Sequence, residues 1–225
     1  MKQLHRLNNS QLDALQETGN IGCSHAATAV SQMVNEEVEI NVPHIFVQKI
    51  PELKHSLRNI SGEDNKLVGV YLELTDEFLG SILFLFPYKS ALVLSDLLMF
   101  QPIGTSTELT EMSQSAITEV GNVVVSAYTN ALSDFLDTSI MLSPPHYSEE
   151  IPDVFLDEIT STIGEDTSHA LIFDTQFKGK KNNFTSYFIL LPSPQSLDIL
   201  YDRLIASFGK TSDVEVNAYV NSLAE

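Results

Sequence analysis

The feature that most constrains this chain is an internal repeat at a fixed offset of 102 positions. At this offset Glu17 falls on Glu119 and Asn20 falls on Asn122. The match continues without a gap through several further identities: Gly19 with Gly121, Ala29 with Ala131, Ser31 with Ser133, Pro43 with Pro145, and His44 with His146. A gapless match of this length indicates that the chain is built from two copies of one unit, which fixes its architecture.

Each copy is predicted to contain a long amphipathic helix, about three strands and a shorter helix. The first long helix is expected to start with Asn9 or Ser10 as its cap and to end near Val34. Its copy is expected over 108–137. The other expected elements are strands at 38–48, 67–74, 79–86, 140–143, 170–176 and 185–191, shorter helices at 91–100 and 197–208, a mostly irregular segment at 51–66 and a partly extended one at 154–163.

The fold class predicted from this order is α+β, with layered helices and one sheet. Half a core of this size is marginal alone, so the two copies are expected to pair about a pseudo-two-fold axis. We predict one pseudo-symmetric domain over 1–208, with repeat 1 at 9–101, repeat 2 at 108–208 and an acidic tail at 209–225. Its mixed or antiparallel sheet should have about six strands, flanked by the two long helices and the shorter ones. A proline at Pro43 indicates that its strand lies at an edge or contains a bulge.

Composition limits the classes of partner. The 225 residues carry a net charge of −18, which disfavours binding to nucleic acid or to an anionic membrane and suits a partner with a basic patch. The single cysteine, Cys23, permits no intramolecular disulfide, and the N-terminus shows no signal peptide. We therefore expect a soluble cytoplasmic protein.

The polar face of each long helix carries a Glu and an Asn at equivalent positions. Glu17 and Asn20 each lie within roughly 40° of Asp13 at 100° per residue. The ordinary interpretation of one such face is solvated surface. Comparison of the two copies indicates a functional role instead. The Glu and the Asn are identical in both copies, whereas apolar positions differ: Gly22 and Val124, Ala26 and Tyr128, Met33 and Phe135.

The chemistry open to a Glu and an Asn without a catalytic His or a metal is limited. A carboxamide cannot act as a general base, but it can donate to and accept from a water and so fix its position. A carboxylate can bind a lysine of another molecule. Orientation alone suits a labile bond such as an acyl phosphate, where positioning an in-line water contributes most.

The double motif resembles that of the CheC/CheX/FliY phosphatases of chemotaxis, and within that family it most resembles CheC. The family pattern is Asp or Ser, three residues, Glu, two residues, Asn, twenty-two residues and Pro. It is matched twice, first by Asp13, Glu17, Asn20 and Pro43, and then by Ser115, Glu119, Asn122 and Pro145.

The resemblance implies that the substrate is phosphorylated CheY, a response regulator carrying an aspartyl phosphate. It assigns Asn20 and Asn122 to orienting the attacking water, and Glu17 and Glu119 to a salt bridge with the regulator's active-site lysine. No cofactor or metal of the chain's own is implied, since the Mg²⁺ belongs to the regulator's active site. The deamidase CheD is implied as a further partner.

The remaining motif residues are given supporting roles. The resemblance assigns Asp13 and Ser115 to supporting the glutamate contacts, and Pro43 and Pro145 to shaping the strand beside each helix. Because two motifs are present in one chain, we expect a monomer rather than a dimer of the CheX type.

Two alternatives stay open from the sequence. The chain could be a non-catalytic adaptor that sequesters the regulator or regulates CheD, or a CheX-like dimeric enzyme. The histidines His25, His44 and His146 are interpreted as structural or surface residues, and Cys23 is not expected to be a nucleophile.

Overall fold

The computed structural model describes residues 7–163, 169–179 and 183–208. These residues form six α-helices and seven strands. In chain order the elements are α1 (Asn9–Val34), β1 (Val38–Lys49), α2 (Ile50–Ser61), β2 (Leu67–Asp76), β3 (Gly80–Pro87), α3 (Tyr88–Leu98), α4 (Glu111–Leu136), β4 (Ile140–Leu142), β5 (His146–Glu150), α5 (Pro152–Ile163), β6 (His169–Gly179), β7 (Asn183–Pro192) and α6 (Pro194–Phe208). The predicted tail at 209–225 lies outside the described residues.

The two long helices begin and end at equivalent positions. The side chain of Asn8 caps α1 and that of Thr110 caps α4, in each case by accepting a backbone N–H of the first turn. Both helices end at a residue in the left-handed conformation, Asn35 with φ 52° and Asp137 with φ 53°. All four positions obey the offset of 102, so the duplication extends to the signals that start and stop the helices. The expectation of Asn9 or Ser10 as the cap of α1 was wrong by one or two residues.

All strands join one sheet, in which each recorded pair is antiparallel. The order is β1-β6-β7-β3-β2-β4, and β5 pairs with β2 on the same side as β4. β3 and β7 are equivalent strands and pair with each other at the centre, where Phe84 faces Phe188. On either side of them the first strand of each copy pairs with a strand of the other copy. The predicted pseudo-two-fold fold is therefore confirmed, with seven strands because the second copy's first strand is divided into β4 and β5.

Helices cover both faces of the sheet. The larger core contains side chains of α1, α3, α4 and α6 with one set of strand residues, including Val70, Phe84 and Phe173. The smaller core on the opposite face places α2 and α5 over the alternate strand residues, including Leu83 and Ile189. This alternation follows from the two-residue period of a strand. Among the helices described, none is long and apolar enough to cross a lipid bilayer.

The connection between the two copies is fixed by one buried carboxylate. Asp96, with 1% of its surface exposed, accepts hydrogen bonds from the backbone N–H groups of Gly104, Thr105 and Ser106 at 2.7, 3.1 and 2.8 Å. Burial on its own would raise the pKa of Asp96, but the hydrogen bonds from Ser106, Gly104 and Thr105 hold it below the ordinary value. The linker is thereby held against the end of α3.

Two secondary-structure predictions were wrong. Residues 154–163 were expected to be extended but belong to α5, which places the buried ring of Phe155 against Gly69 of β2. Residues 51–66 were expected to be mostly irregular but form most of α2, whose Leu53 and Leu57 are fully buried. The strand β5 was not predicted, because its polar residues become a strand only by pairing with β2.

Candidate functional site

The first candidate site lies on α1 where this helix runs beside β1. Asp13 and Glu17 are exposed, and Asn20 is half-buried one turn further along. Spacings of four and three residues place the three side chains on one face of the helix. Burial of Leu15, Thr18 and Gly19 on other sides of α1 fixes the rotation of that face.

The second candidate site repeats this arrangement on α4. Ser115 and Glu119 are exposed and Asn122 is half-buried. The adjoining Gly121 packs directly on β2, since a Cβ there would lie 2.7 Å from Cβ of Val70. The close approach of α4 to the sheet sets the depth at which Asn122 sits.

At the first site, Asn20 is bonded to the neighbouring strand. Its Oδ1 accepts the backbone N–H of Val42 at 2.8 Å. The amide is available because the pairing of β1 with β6 shifts register between Asn41 and His44. The carbonyl oxygen of Pro43 in turn accepts from Nε2 of Gln16 at 3.0 Å. The predicted bulge and edge position of this strand are both confirmed, and two side chains of α1 hold the bulge in place.

At the second site, no such bonds form among the described residues. The equivalent of Val42 is Pro144, which has no N–H to give, and the equivalent of Gln16 is Thr118, whose hydroxyl donates to the carbonyl of Gln114 at 2.7 Å. Within the described residues Asn122 has no hydrogen-bond partner. A purely structural role would therefore account for retention of Asn20 but not of Asn122.

The two glutamates share the property of having no internal partner. Neither Glu17 nor Glu119 makes a hydrogen bond or ion pair with another described residue, and both are exposed. The recorded ion pairs of the chain involve other carboxylates, such as Asp153 with Arg58. Both site glutamates are thus available to a cation supplied by another molecule.

The glutamates of both candidate sites lie on an exposed helix face. A groove of about 770 Å³ is lined by residues of β2, β3, α5 and the β4–β5 region, including Glu73, Leu83, His146 and Phe155. It contains neither glutamate of the motif and neither asparagine. An open helix face suits contact with another protein better than enclosure of a small molecule.

Of the other residues considered in the sequence, the cysteine is buried and the three histidines are exposed. Cys23 is 3% exposed, and burial raises the pKa of its thiol to about 12, so it is not a nucleophile at neutral pH. His25, His44 and His146 are all exposed. No group of three or more His, Cys, Asp or Glu in the described segments is placed to bind a metal ion.

Three residues at the sites were missed by the sequence analysis. Gln16, Val42 and Pro144 determine how each asparagine is held, but none belongs to the motif. For Pro144, the sequence did contain a signal. Applying the offset of 102 to Val42 gives a proline, which lacks the donor that the first copy uses.

The fold and the two sites define a class of protein: an internally duplicated three-layer domain with a Glu/Asn pair on each of two equivalent helices. A model of the CheC-like family matches residues 11–47 and 112–149, which contain both pairs. The chain is 26% identical over 211 residues to the CheY-P phosphatase CheC of Bacillus subtilis, covering 92% of this chain and all of that protein. It is 29% identical over 161 residues to the flagellar motor switch phosphatase FliY of the same organism, covering 71% of this chain and 40% of FliY.

A solved structure shares the fold. The crystal structure of Thermotoga maritima FliY matches with a TM-score of 0.71 at 23% identity, covering 89% of this chain and 98% of that one. The resemblance predicted from the double motif is confirmed by these matches. Each copy of the repeat thus contains a segment that matches the CheC-like family.

Proposed function

We propose that this protein is a phosphatase that hydrolyses the aspartyl phosphate of a CheY-type response regulator. The observation that carries the proposal is an exposed Glu and a half-buried Asn at equivalent positions of two helices. The described segments contain no hydrogen-bond or ion-pair partner for the side chains of Glu17, Glu119 and Asn122. The names of the relatives, a CheY-P phosphatase and a flagellar motor switch phosphatase, support the same activity.

The reaction requires little chemistry from the chain itself. A water oxygen bonds to phosphorus while the bond between phosphorus and the aspartyl oxygen breaks. Inorganic phosphate leaves, the aspartate becomes a free carboxylate, and the proton of the water passes to phosphate or solvent. The attack is in line, so the contribution left to the phosphatase is to hold the water in position. The regulator supplies the Mg²⁺, and this chain needs no cofactor.

Each site residue has a proposed part in this step. Asn20 or Asn122 holds the attacking water by its carboxamide, and an oriented water worth roughly 10²-fold in rate corresponds to ~2.7 kcal/mol. Glu17 or Glu119 binds the active-site lysine of the regulator and so docks the helix. Asp13 and Ser115 support that contact, and Pro43 and Pro145 shape the backbone beside each asparagine.

The direct test measures the decay of phosphorylated regulator with and without the protein. Each CheY-type regulator encoded in the same genome is phosphorylated with acetyl phosphate, freed of the donor and followed for loss of phosphate. Acceleration at substoichiometric protein supports the proposal, and no acceleration of any regulator at stoichiometric protein contradicts it. The variant with both asparagines changed to Ala should lose the activity.

The competing function is that of a non-catalytic adaptor, which binds the regulator or CheD without turnover. Docking needs the glutamates more than the asparagines, so the two functions separate in one experiment. An adaptor would keep its binding and its effect when both asparagines are changed to Ala, whereas a phosphatase would keep binding and lose turnover. Sedimentation tests the expected monomer, and a dimer would favour the CheX-like arrangement.

A further inference from the structure

The two asparagines differ in what their amide oxygens are bonded to. Oδ1 of Asn20 accepts the N–H of Val42, and this bond fixes the plane of the carboxamide. Because the amide is planar, holding its oxygen on the strand also fixes the direction of its nitrogen. One of the two acceptor positions of that oxygen is thereby occupied.

At the second site the carboxamide lacks this restraint, because the residue equivalent to Val42 is a proline. Pro144 stands where Val42 stands in the first copy, and a proline has no N–H to donate. No other described residue bonds to Asn122, although this side chain is half-buried like its equivalent. Its oxygen therefore keeps both acceptor positions for a ligand.

This difference matters to a water that attacks phosphorus. A water held through its own hydrogen by an amide oxygen keeps both oxygen lone pairs, and one of them can form the new bond. A water held by an amide N–H has one lone pair already engaged. A carboxamide with a free oxygen can hold the water in the first way, whereas one whose oxygen is bonded to the backbone is better placed to hold it in the second.

On the basis of the proposed phosphatase function, we propose that the two sites are unequal. Asn122 carries most of the turnover, and the residue before each motif proline, Val42 or Pro144, is the positioning residue that sets the difference. The Asn20 site binds the regulator with its Glu17 intact but hydrolyses the phosphate more slowly. The asymmetry thus lies in kcat and leaves KM nearly unchanged.

The first experiment compares the single variants Asn20→Ala and Asn122→Ala on the phosphorylated regulator identified by the decay assay. Asn122→Ala should lower kcat by about tenfold or more, the range of one lost oriented contact, and Asn20→Ala by less than about threefold. KM should change by less than about twofold in both. Equal losses of kcat, or the reverse order, would overturn the proposal.

The second experiment exchanges the positioning residues between the copies. Pro144→Val in the Asn20→Ala background restores a donor beside Asn122 and should lower kcat by about threefold or more, the effect of one hydrogen bond. Val42→Pro in the Asn122→Ala background removes the donor and should raise the residual kcat by a similar factor. Opposite signs or no change in either exchange contradict the assignment of these residues.

The controls separate the possible failures. Circular dichroism and thermal unfolding identify a variant that does not fold, and the comparison of the two Asn→Ala variants stands without the exchanges. If the unaltered chain accelerates the decay of no regulator, the proposed function itself fails, and this inference fails with it. If the unaltered chain is active and its two sites are equal, only the asymmetry is overturned.

Discussion

Gly22 of α1 lies directly against the backbone of Tyr128 on α4. A Cβ at Gly22 would be 2.6 Å from Cα of Tyr128 and 3.0 Å from the carbonyl oxygen of Ala127. The two motif helices thus touch backbone to backbone, two residues beyond Asn20.

We predict that Gly22→Ala destabilises the protein. The new methyl group would meet backbone atoms that cannot move alone, and overpacking of this kind costs about 1–3 kcal/mol. This loss exceeds the gain of up to about 1 kcal/mol from replacing a helical glycine. Chemical denaturation followed by circular dichroism gives the change in the free energy of unfolding.

Gly19→Ala is the matched control on the same helix. A Cβ at Gly19 would make ordinary contacts, 3.4 Å from Cγ2 of Val42 and 3.6 Å from Cε2 of Tyr128. Its stability should therefore be unchanged or raised by up to about 1 kcal/mol. A loss as large as that of Gly22→Ala would contradict close helix contact as the cause.

The hydrogen bonds from the linker to Asp96 should contribute to the free energy of unfolding while Asp96 is ionised. The hydrogen bonds hold its pKa below the ordinary value in the folded state. Its contribution is therefore present above the ordinary Asp pKa of about 4 and is lost as pH falls through the lower folded-state pKa. Asp96→Asn should cost about 2 kcal/mol at pH 7, because an amide nitrogen would face backbone donors.

The measurement is the free energy of unfolding of both proteins between pH 7 and the lowest pH at which they fold. The gap between them should narrow towards the acid end of this range. A gap that stays constant with pH would show that Asp96 acts through its shape rather than its charge.

Cys23 should be unreactive in the native protein. With the pKa of the thiol raised to about 12 by burial, the thiolate fraction at pH 8 is negligible, and reagent cannot reach the sulfur. Ellman's reagent should label the native protein over hours rather than minutes and label the unfolded protein at once. His25→Cys, which places a thiol at an exposed position two residues away, should add one rapidly reacting equivalent. Rapid labelling of the unaltered native chain would contradict the packing between α1 and α4.

The glutamates should act on docking rather than on chemistry. Changing Glu17 and Glu119 to Gln should raise KM for the phosphorylated regulator by about two- to fivefold, the range of an exposed ion pair, with a smaller effect on kcat. The dependence of KM on salt should weaken in the same variant. Asp134→Asn removes one charge about 22 Å along α4 from Glu119 and should leave KM unchanged. An equal effect of this control would indicate that net charge, and not the site, attracts the regulator.

The parts of the fold that could be predicted from sequence are those repeated or strongly patterned within it. Apolar periodicity located α1, α4 and the hairpin strands, and the offset of 102 related α4 to α1. The segment forming α5 was misjudged because its burial depends on Phe155 filling the space above Gly69, a contact between residues 86 positions apart. Similarly, β5 has no apolar alternation of its own, and β2 provides the pairing that makes it a strand.

For the candidate sites, the sequence predicted which side chains share a face but not how they are held. Helical spacing alone placed Glu17 beside Asn20. The bond from Val42 to Asn20 could not be derived in this way, since it depends on a register shift between β1 and β6, which come from different copies. That Pro144 has no N–H follows from the sequence alone. Its importance for Asn122 followed only from the bond between Val42 and Asn20 in the first copy.

The exchange of first strands between the copies also bears on why the two sites differ. β1 is completed by β6, and β4 and β5 by β2, so one copy alone has an incomplete sheet and needs a second. A symmetric homodimer of such a unit is bound to carry identical residues in its two sites, since one gene encodes both. Joining the two units in one chain removes that restriction. A valine before one motif proline and a proline before the other is a divergence that a homodimer of one such unit cannot carry.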